Sequence, residues 1–252
     1  MGNIRAVIRL TLFAFISFIS ALFVVAGRLL LFNWNNYYQS WKGAVKKTYA
    51  RIIMLLIGME LEIKGSCPDP PFFLVSNHLS YIDILPLWYC CKGTFIAKSE
   101  VSNWPFFGLG AKILGVIFIN REKHRDIKRV NNIISKEISE GQGIMLFPEG
   151  TSTKGTDILP FKPSLLFFPA NKKFPVSYAS IFYSTHKIEK PASKYVCWWG
   201  GMTFLSHFFE LLKFKKFQAK ITFGDEPVVK NNRKILAGIL HQKVENIFKP
   251  VT

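Results

Sequence analysis

The chain has 252 residues, 49% of them hydrophobic and 19% charged, with a formal charge of +17. Its mean hydropathy of +0.19 excludes disorder, because burial of this much apolar surface offsets the ordering entropy; collagen-like, disulfide-scaffold and multi-span membrane architectures are excluded by composition and length. The excess of 33 Lys and Arg over 16 Asp and Glu attracts anions: nucleic acid, anionic headgroups or phosphorylated substrates.

The first feature along the chain is the uncharged run Leu10–Gly27, bracketed by Arg9 and Arg28. At roughly 1.5 Å per residue it just reaches across a hydrocarbon core. It reads as a cleavable signal segment, as a single spanning helix, or as a helix that dips into one leaflet and returns. The next segment favours the third. From Trp41 to Met59 apolar residues recur at helical spacing, and Lys42, Lys46, Lys47 and Arg51 are expected to form one basic face at the headgroup boundary.

From Glu60 the pattern alternates. Strands are expected at Leu61–Lys64, Phe72–Ser76, Thr94–Ala97, Val116–Asn120, Ile144–Phe147, Phe174–Phe182 and Gln218–Phe223. Helices are expected at Ser80–Cys90, Asn103–Leu114, Glu122–Glu140, Lys162–Ala170, Thr203–Leu212 and Asn231–Lys249. Such alternation predicts an α/β fold: a mostly parallel sheet flanked by helices, here preceded by an N-terminal two-helix membrane-anchoring segment. The division expected is an anchor over residues 1–59 and a domain over 60–252. Cys67, Cys90, Cys91 and Cys197 contain no Cys-x-x-Cys and read as reduced thiols facing the cytosol.

Two places carry chemistry. Asn77-His78-Leu79-Ser80-Tyr81-Ile82-Asp83 follows the apolar strand Phe72–Ser76, and strand ends are where open α/β sheets place reactive groups. His78 can accept a hydroxyl proton, and Asp83 can hold its other ring nitrogen. The competing structural reading is Ser80-x-x-Asp83 as a helix-capping box, with His78 a core histidine. The second place is Phe147-Pro148-Glu149-Gly150-Thr151, a strand running into a polar turn. Between them a strand ends at Arg121, a side chain suited to phosphate. Metal ligation is not expected, since the five histidines are scattered.

In this order and spacing the residues resemble the glycerolipid acyltransferase family typified by bacterial 1-acylglycerol-3-phosphate acyltransferases. Asn77, His78 and Asp83 match its Asn-His-x4-Asp motif; Gly115, Phe118, Ile119 and Arg121 match its second motif, with Asn120 where Asp is common; Phe147–Thr151 match Phe-Pro-Glu-Gly-Thr in full. The match covers about residues 72–182. Ser152 stands where the family often carries Arg, and Glu-Gly-Thr-Ser resembles a subgroup acting on lyso-ornithine lipids. The resemblance implies that His78, oriented by Asp83, is the catalytic base. Asn77, Lys98, Arg121, Glu149, Gly150 and Thr151 would position a lysolipid acceptor, with a looser grip on phosphate because of Ser152. Acyl-CoA or acyl carrier protein would be the donor, with no metal or bound cofactor and no nucleic acid. The site would lie on the cytoplasmic face of the inner or plasma membrane. A basic non-enzymatic membrane-binding protein and a thioester hydrolase are the rival readings.

Overall fold

The computed structural model describes residues 1–104, 107–120, 124–186 and 190–251. Two long helices, α1 (Gly2–Leu30) and α2 (Asn35–Ile57), come first. Then follow β1 (Met59–Lys64), β2 (Phe73–Ser76), α3 (Ile84–Cys90), β3 (Gly93–Lys98), α4 (Phe107–Ile113) and β4 (Ile117–Ile119). The second half carries α5 (His124–Ser139), β5 (Gly143–Leu146), α6 (Phe167–Lys172), β6 (Val176–Ser184), α7 (Ala192–Tyr195), α8 (Phe204–Leu211), β7 (Phe217–Phe223) and α9 (Arg233–Ile247). Every strand expected from the sequence is present, with ends moved by one or two residues. The helix expected over Ser80–Cys90 instead opens with a 3-10 turn at Tyr81–Asp83.

The strands form one sheet in the order β1-β7-β6-β2-β5-β3-β4. All neighbours run parallel except β6 and β7, so β1 and β7 point opposite to the other five. The central strands β2 and β5 are buried along their whole length, as their uninterrupted apolar sequences require between two helical layers. After β2 the chain crosses to one layer through α3, whose Leu85, Leu87 and Trp88 join the core there. After β5 it crosses to the other layer, where Leu165, Leu166 and Phe168 pack with α9. Two adjacent parallel strands whose connections leave toward opposite faces open a crevice at their carboxyl ends. The loops that follow β2 and β5 meet in it.

The first two helices are fastened to this body. Arg5 donates to the Lys213 carbonyl at 2.7 Å, and Arg9 reaches the carbonyls of Leu212 (3.2 Å), Phe214 (2.5 Å), Lys215 (3.3 Å) and Ile57 (3.4 Å). Arg9 thus serves the last carbonyl of α2 and the C-cap of α8, and both arginines bind the turn that follows α8. Phe13 stacks with Phe107 of α4 and meets Phe208 of α8 edge-on.

On α2 the expected single basic face does not form. Lys46 is buried and donates to the Gly93 carbonyl at 2.6 Å, while Lys47 and Arg51 point outward. The buried stripe is Lys46, Ala50, Ile53, Met54 and Ile57, which leaves Trp41, Ile52 and Leu55 exposed. One residue of rotation, about 100°, separates Lys46 from Lys47 and sends them to different surroundings.

The cysteine reading is corrected as well. Cys67, in the β1–β2 loop, and Cys91, at the end of α3, form a disulfide with Cα atoms 5.7 Å apart; Cys90 and Cys197 are free. The fold of the β1–β2 loop over α3 brings the two together, and spacing along the sequence carries no sign of it.

Candidate active site

His78 and Asp83 meet. The 3-10 turn at Tyr81–Asp83 shortens the path between them, so that five residues bring Asp83 Oδ2 to 2.8 Å from His78 Nδ1. The same oxygen accepts the backbone N–H groups of Leu79 (2.7 Å) and Ser80 (3.0 Å). Asp83 therefore caps the turn and holds the imidazole at once; the two sequence readings describe one carboxylate. Its other oxygen, Oδ1, accepts the Tyr183 hydroxyl at 2.7 Å. Asp83 is fully buried, whereas the His78 side chain keeps 21% of its surface exposed. Nε2 takes no partner among the described residues, and it belongs to the partly exposed ring.

The loop after β5 fixes the His78 backbone from both sides. Glu149 Oε1 accepts the His78 N–H at 2.7 Å, and Oε2 accepts the Leu159 N–H at 2.8 Å. Thr153 donates its backbone N–H to the His78 carbonyl at 3.0 Å. The Phe147 ring lies flat on the imidazole, 4.2 Å between centroids at 7°, and Phe95 stacks behind it. Glu149 is only 1% exposed, and this burial pushes its carboxyl up to about 7, against the downward pull of the two N–H donors. Glycine at 150 has φ +79°, a left-handed turn that a side chain would strain. Through these bonds the Phe-Pro-Glu-Gly-Thr motif and the loop after it hold the Asn-His-x4-Asp motif.

A family model described as acyltransferase matches residues 59–178. Lyso-ornithine lipid O-acyltransferase of Rhodobacter capsulatus is 30% identical over 192 residues, which span 75% of this chain and 68% of that relative. The chain belongs to the acyltransferase family. A 1-acyl-sn-glycerol-3-phosphate acyltransferase of Neisseria meningitidis is 32% identical over 117 residues, 46% of each chain. The crystal structure of the 1-acyl-sn-glycerophosphate acyltransferase PlsC from Thermotoga maritima superposes with a TM-score of 0.66 over 98% of both chains at 20% identity, a likeness of fold.

The other expected contacts of this acyltransferase are distributed unevenly. The Asn77 amide is buried: it accepts the Ile181 N–H at 2.7 Å and donates to the Ile181 carbonyl at 3.0 Å, fastening the loop to β6. That amide secures the loop, and its remaining N–H is the donor left for the acceptor role expected from the sequence. Lys98 ends β3 on the same edge of the sheet and pairs with Glu100 at 2.5 Å, both side chains 57% exposed. Thr151 is exposed beside Gly150. Arg121 lies outside the described residues. Ser152 is buried, at 7% exposure, so it is no open place from which an arginine could reach a phosphate. Tyr183 and Thr153 were not expected. Tyr183 lies 100 residues from Asp83 with no motif to mark it, while Thr153 lies two residues past the Phe-Pro-Glu-Gly-Thr motif. Among the described residues no group of three His, Cys, Asp or Glu is placed to hold a metal ion.

Proposed function

We propose that the protein is an O-acyltransferase that moves a fatty acyl group from acyl-CoA or acyl carrier protein to the free hydroxyl of a lysolipid, with 1-acylglycerol-3-phosphate as acceptor and phosphatidic acid as product. The observation that carries this reading is the open Nε2 of His78 opposite an Nδ1 held by a buried carboxylate. His78 takes the hydroxyl proton as the oxygen attacks the thioester carbonyl. Collapse of the tetrahedral intermediate releases the thiolate, which regains that proton from the imidazolium. Asp83 steadies the imidazolium in between. Arg121, Lys98 and Thr151 are the side chains assigned to the acceptor headgroup, and no bound cofactor enters the scheme. A lyso-ornithine lipid acceptor is the second reading, favoured by the longer matches to relatives of that name.

A purified preparation given labelled acyl-CoA and a panel of lysolipids, in mixed micelles of fixed surface charge, tests the proposal. Label should enter 1-acylglycerol-3-phosphate at least about tenfold faster than lyso-ornithine lipid, the scale of one charge-assisted contact. The opposite ranking establishes the second reading. Label appearing only in free fatty acid makes the protein a hydrolase.

The site is assigned to the membrane surface. The 29 residues of α1 include a window with mean hydropathy of 2.4, of which 11% is buried. Exposed Phe15, Phe18, Leu22 and Phe23 on α1 and exposed Trp41 and Leu55 on α2 offer lipid-facing surface. Because α1 is fastened to the body by Arg5, Arg9 and Phe13, residues 1–59 are read as an anchor that dips into one leaflet and holds the crevice there. Burial of this kind is not screened by ions. The full-length protein should therefore stay with sedimented vesicles through high-salt washing; its release by salt alone would contradict the inserted helix. The cytoplasmic face is assigned because acyl-CoA and acyl carrier protein are found there; the Cys67–Cys91 bridge is the feature that favours an oxidising compartment.

A further inference from the structure

We propose that Tyr183 is a positioning residue of the transfer reaction, whose hydroxyl holds the carboxylate that orients His78. The inference rests on the His78–Asp83 reading of the chemistry. Asp83 has two oxygens with unequal company. Oδ2 accepts three donors, His78 Nδ1, Leu79 N and Ser80 N, whereas among the described residues Oδ1 accepts Tyr183 alone, at 2.7 Å. Asp83 and Tyr183 are both fully buried, so no bulk water stands by to replace that bond. A carboxylate accepts about four hydrogen bonds, and these four complete the set.

The aim of Tyr183 is fixed by its strand. Two residues earlier on β6, Ile181 is bonded through both its N–H and its carbonyl to the Asn77 amide. The catalytic loop and β6 are thus locked in register, and the pleat returns Tyr183 to the same face as Ile181. Burial and the Asp83 charge hold the phenol pKa well above its ordinary value, so it stays a donor. Glu149 and Cys197 also feel Asp83, and Tyr81 reaches Tyr183; none of these three is hydrogen-bonded to the carboxylate among the described residues.

Removing the donor has two effects. Asp83 is free to pivot about Oδ2, which loosens the imidazole. Less of its charge is drawn off at Oδ1, so the imidazolium is favoured and the acid limb of the pH profile moves upward. Tyr183→Phe should lower kcat about tenfold with KM for donor and lysolipid unchanged, and move the acid limb of kcat/KM up by about half a unit. Incorporating 3-fluorotyrosine at position 183 keeps the ring and strengthens the donor, and should move that limb down. An acid limb at the wild-type position in both proteins overturns the inference. If Tyr183→Phe does not fold, the fluorotyrosine protein decides alone. A His78→Ala control separates the two levels. If it turns over at the wild-type rate, the underlying reading fails; if it is inactive while the limb stays still in the Tyr183 proteins, only the positioning inference fails.

Discussion

His78→Ala is expected to lower acyl transfer by at least about a thousandfold, within the range a general base contributes, while the protein stays folded. The fold should survive because the His78 side chain is a partly exposed ring whose removal strips one cap from Asp83 but leaves its bonds to Leu79, Ser80 and Tyr183. Asp83→Asn should cost roughly a hundredfold or more in kcat with a stable fold. With the Asn oxygen in the Oδ2 position the two backbone donors keep their acceptor, and the new amide faces the Tyr183 hydroxyl, which can turn to accept. What disappears is the negative charge beside the imidazolium. Turnover measured with folding monitored by circular dichroism checks both. Near-normal turnover in a folded His78→Ala protein would contradict the mechanism, and unfolding of both proteins would make the pair structural.

Glu149→Gln is the second large effect. Both carboxylate oxygens accept a backbone N–H, from His78 and from Leu159. Glutamine offers one acceptor and one donor, so one of those N–H groups is left facing an NH2. The expected cost is about 1–3 kcal/mol of stability, together with a fall in kcat of at least about tenfold as the His78 backbone loosens. A residue that merely gripped the acceptor would instead raise KM and leave stability alone. The pH dependence has a definite sign. Burial raises the Glu149 carboxyl in the folded protein to about 7, so between its ordinary value of about 4.5 and 7 the folded state holds more protons than the unfolded one. This group's contribution to stability is therefore fully present at low pH and is lost as pH rises through that window. The stability gap between wild type and Glu149→Gln should narrow over the same range. Denaturant titrations of both proteins from pH 4.5 to 7 measure it, and a gap that widens would contradict the assignment.

The sheet was legible because its central strands are unbroken apolar runs bounded by turn residues; β2 and β5 stand within a residue of where Phe72–Ser76 and Ile144–Phe147 put them. The reversal of β1 and β7 was not, since strand direction depends on the end of the sheet at which each connection re-enters, which no local pattern records. His78 and Asp83 were legible as a pair because both lie in one short loop. Glu149 was marked, yet its role could not be read: a motif names a side chain, while its partners are backbone groups of other segments. The bonds of Asn77 to the Ile181 backbone were illegible for the same reason. Tyr183 and the Cys67–Cys91 bridge are contacts across strands and loops, and a single sequence holds no local signal for them. Lys46 shows the limit of helical patterning, for it sits on the buried face although its charge predicts the opposite.

The most direct test of His78-catalysed acyl transfer is product analysis with a labelled acyl-CoA, run with and without 1-acylglycerol-3-phosphate, for the wild type and for His78→Ala. Lysolipid-dependent label in phosphatidic acid is expected, with little label in free fatty acid and neither product from His78→Ala above the uncatalysed rate. Label in free fatty acid independent of lysolipid, or phosphatidic acid formed by His78→Ala at the wild-type rate, would contradict His78-catalysed transfer.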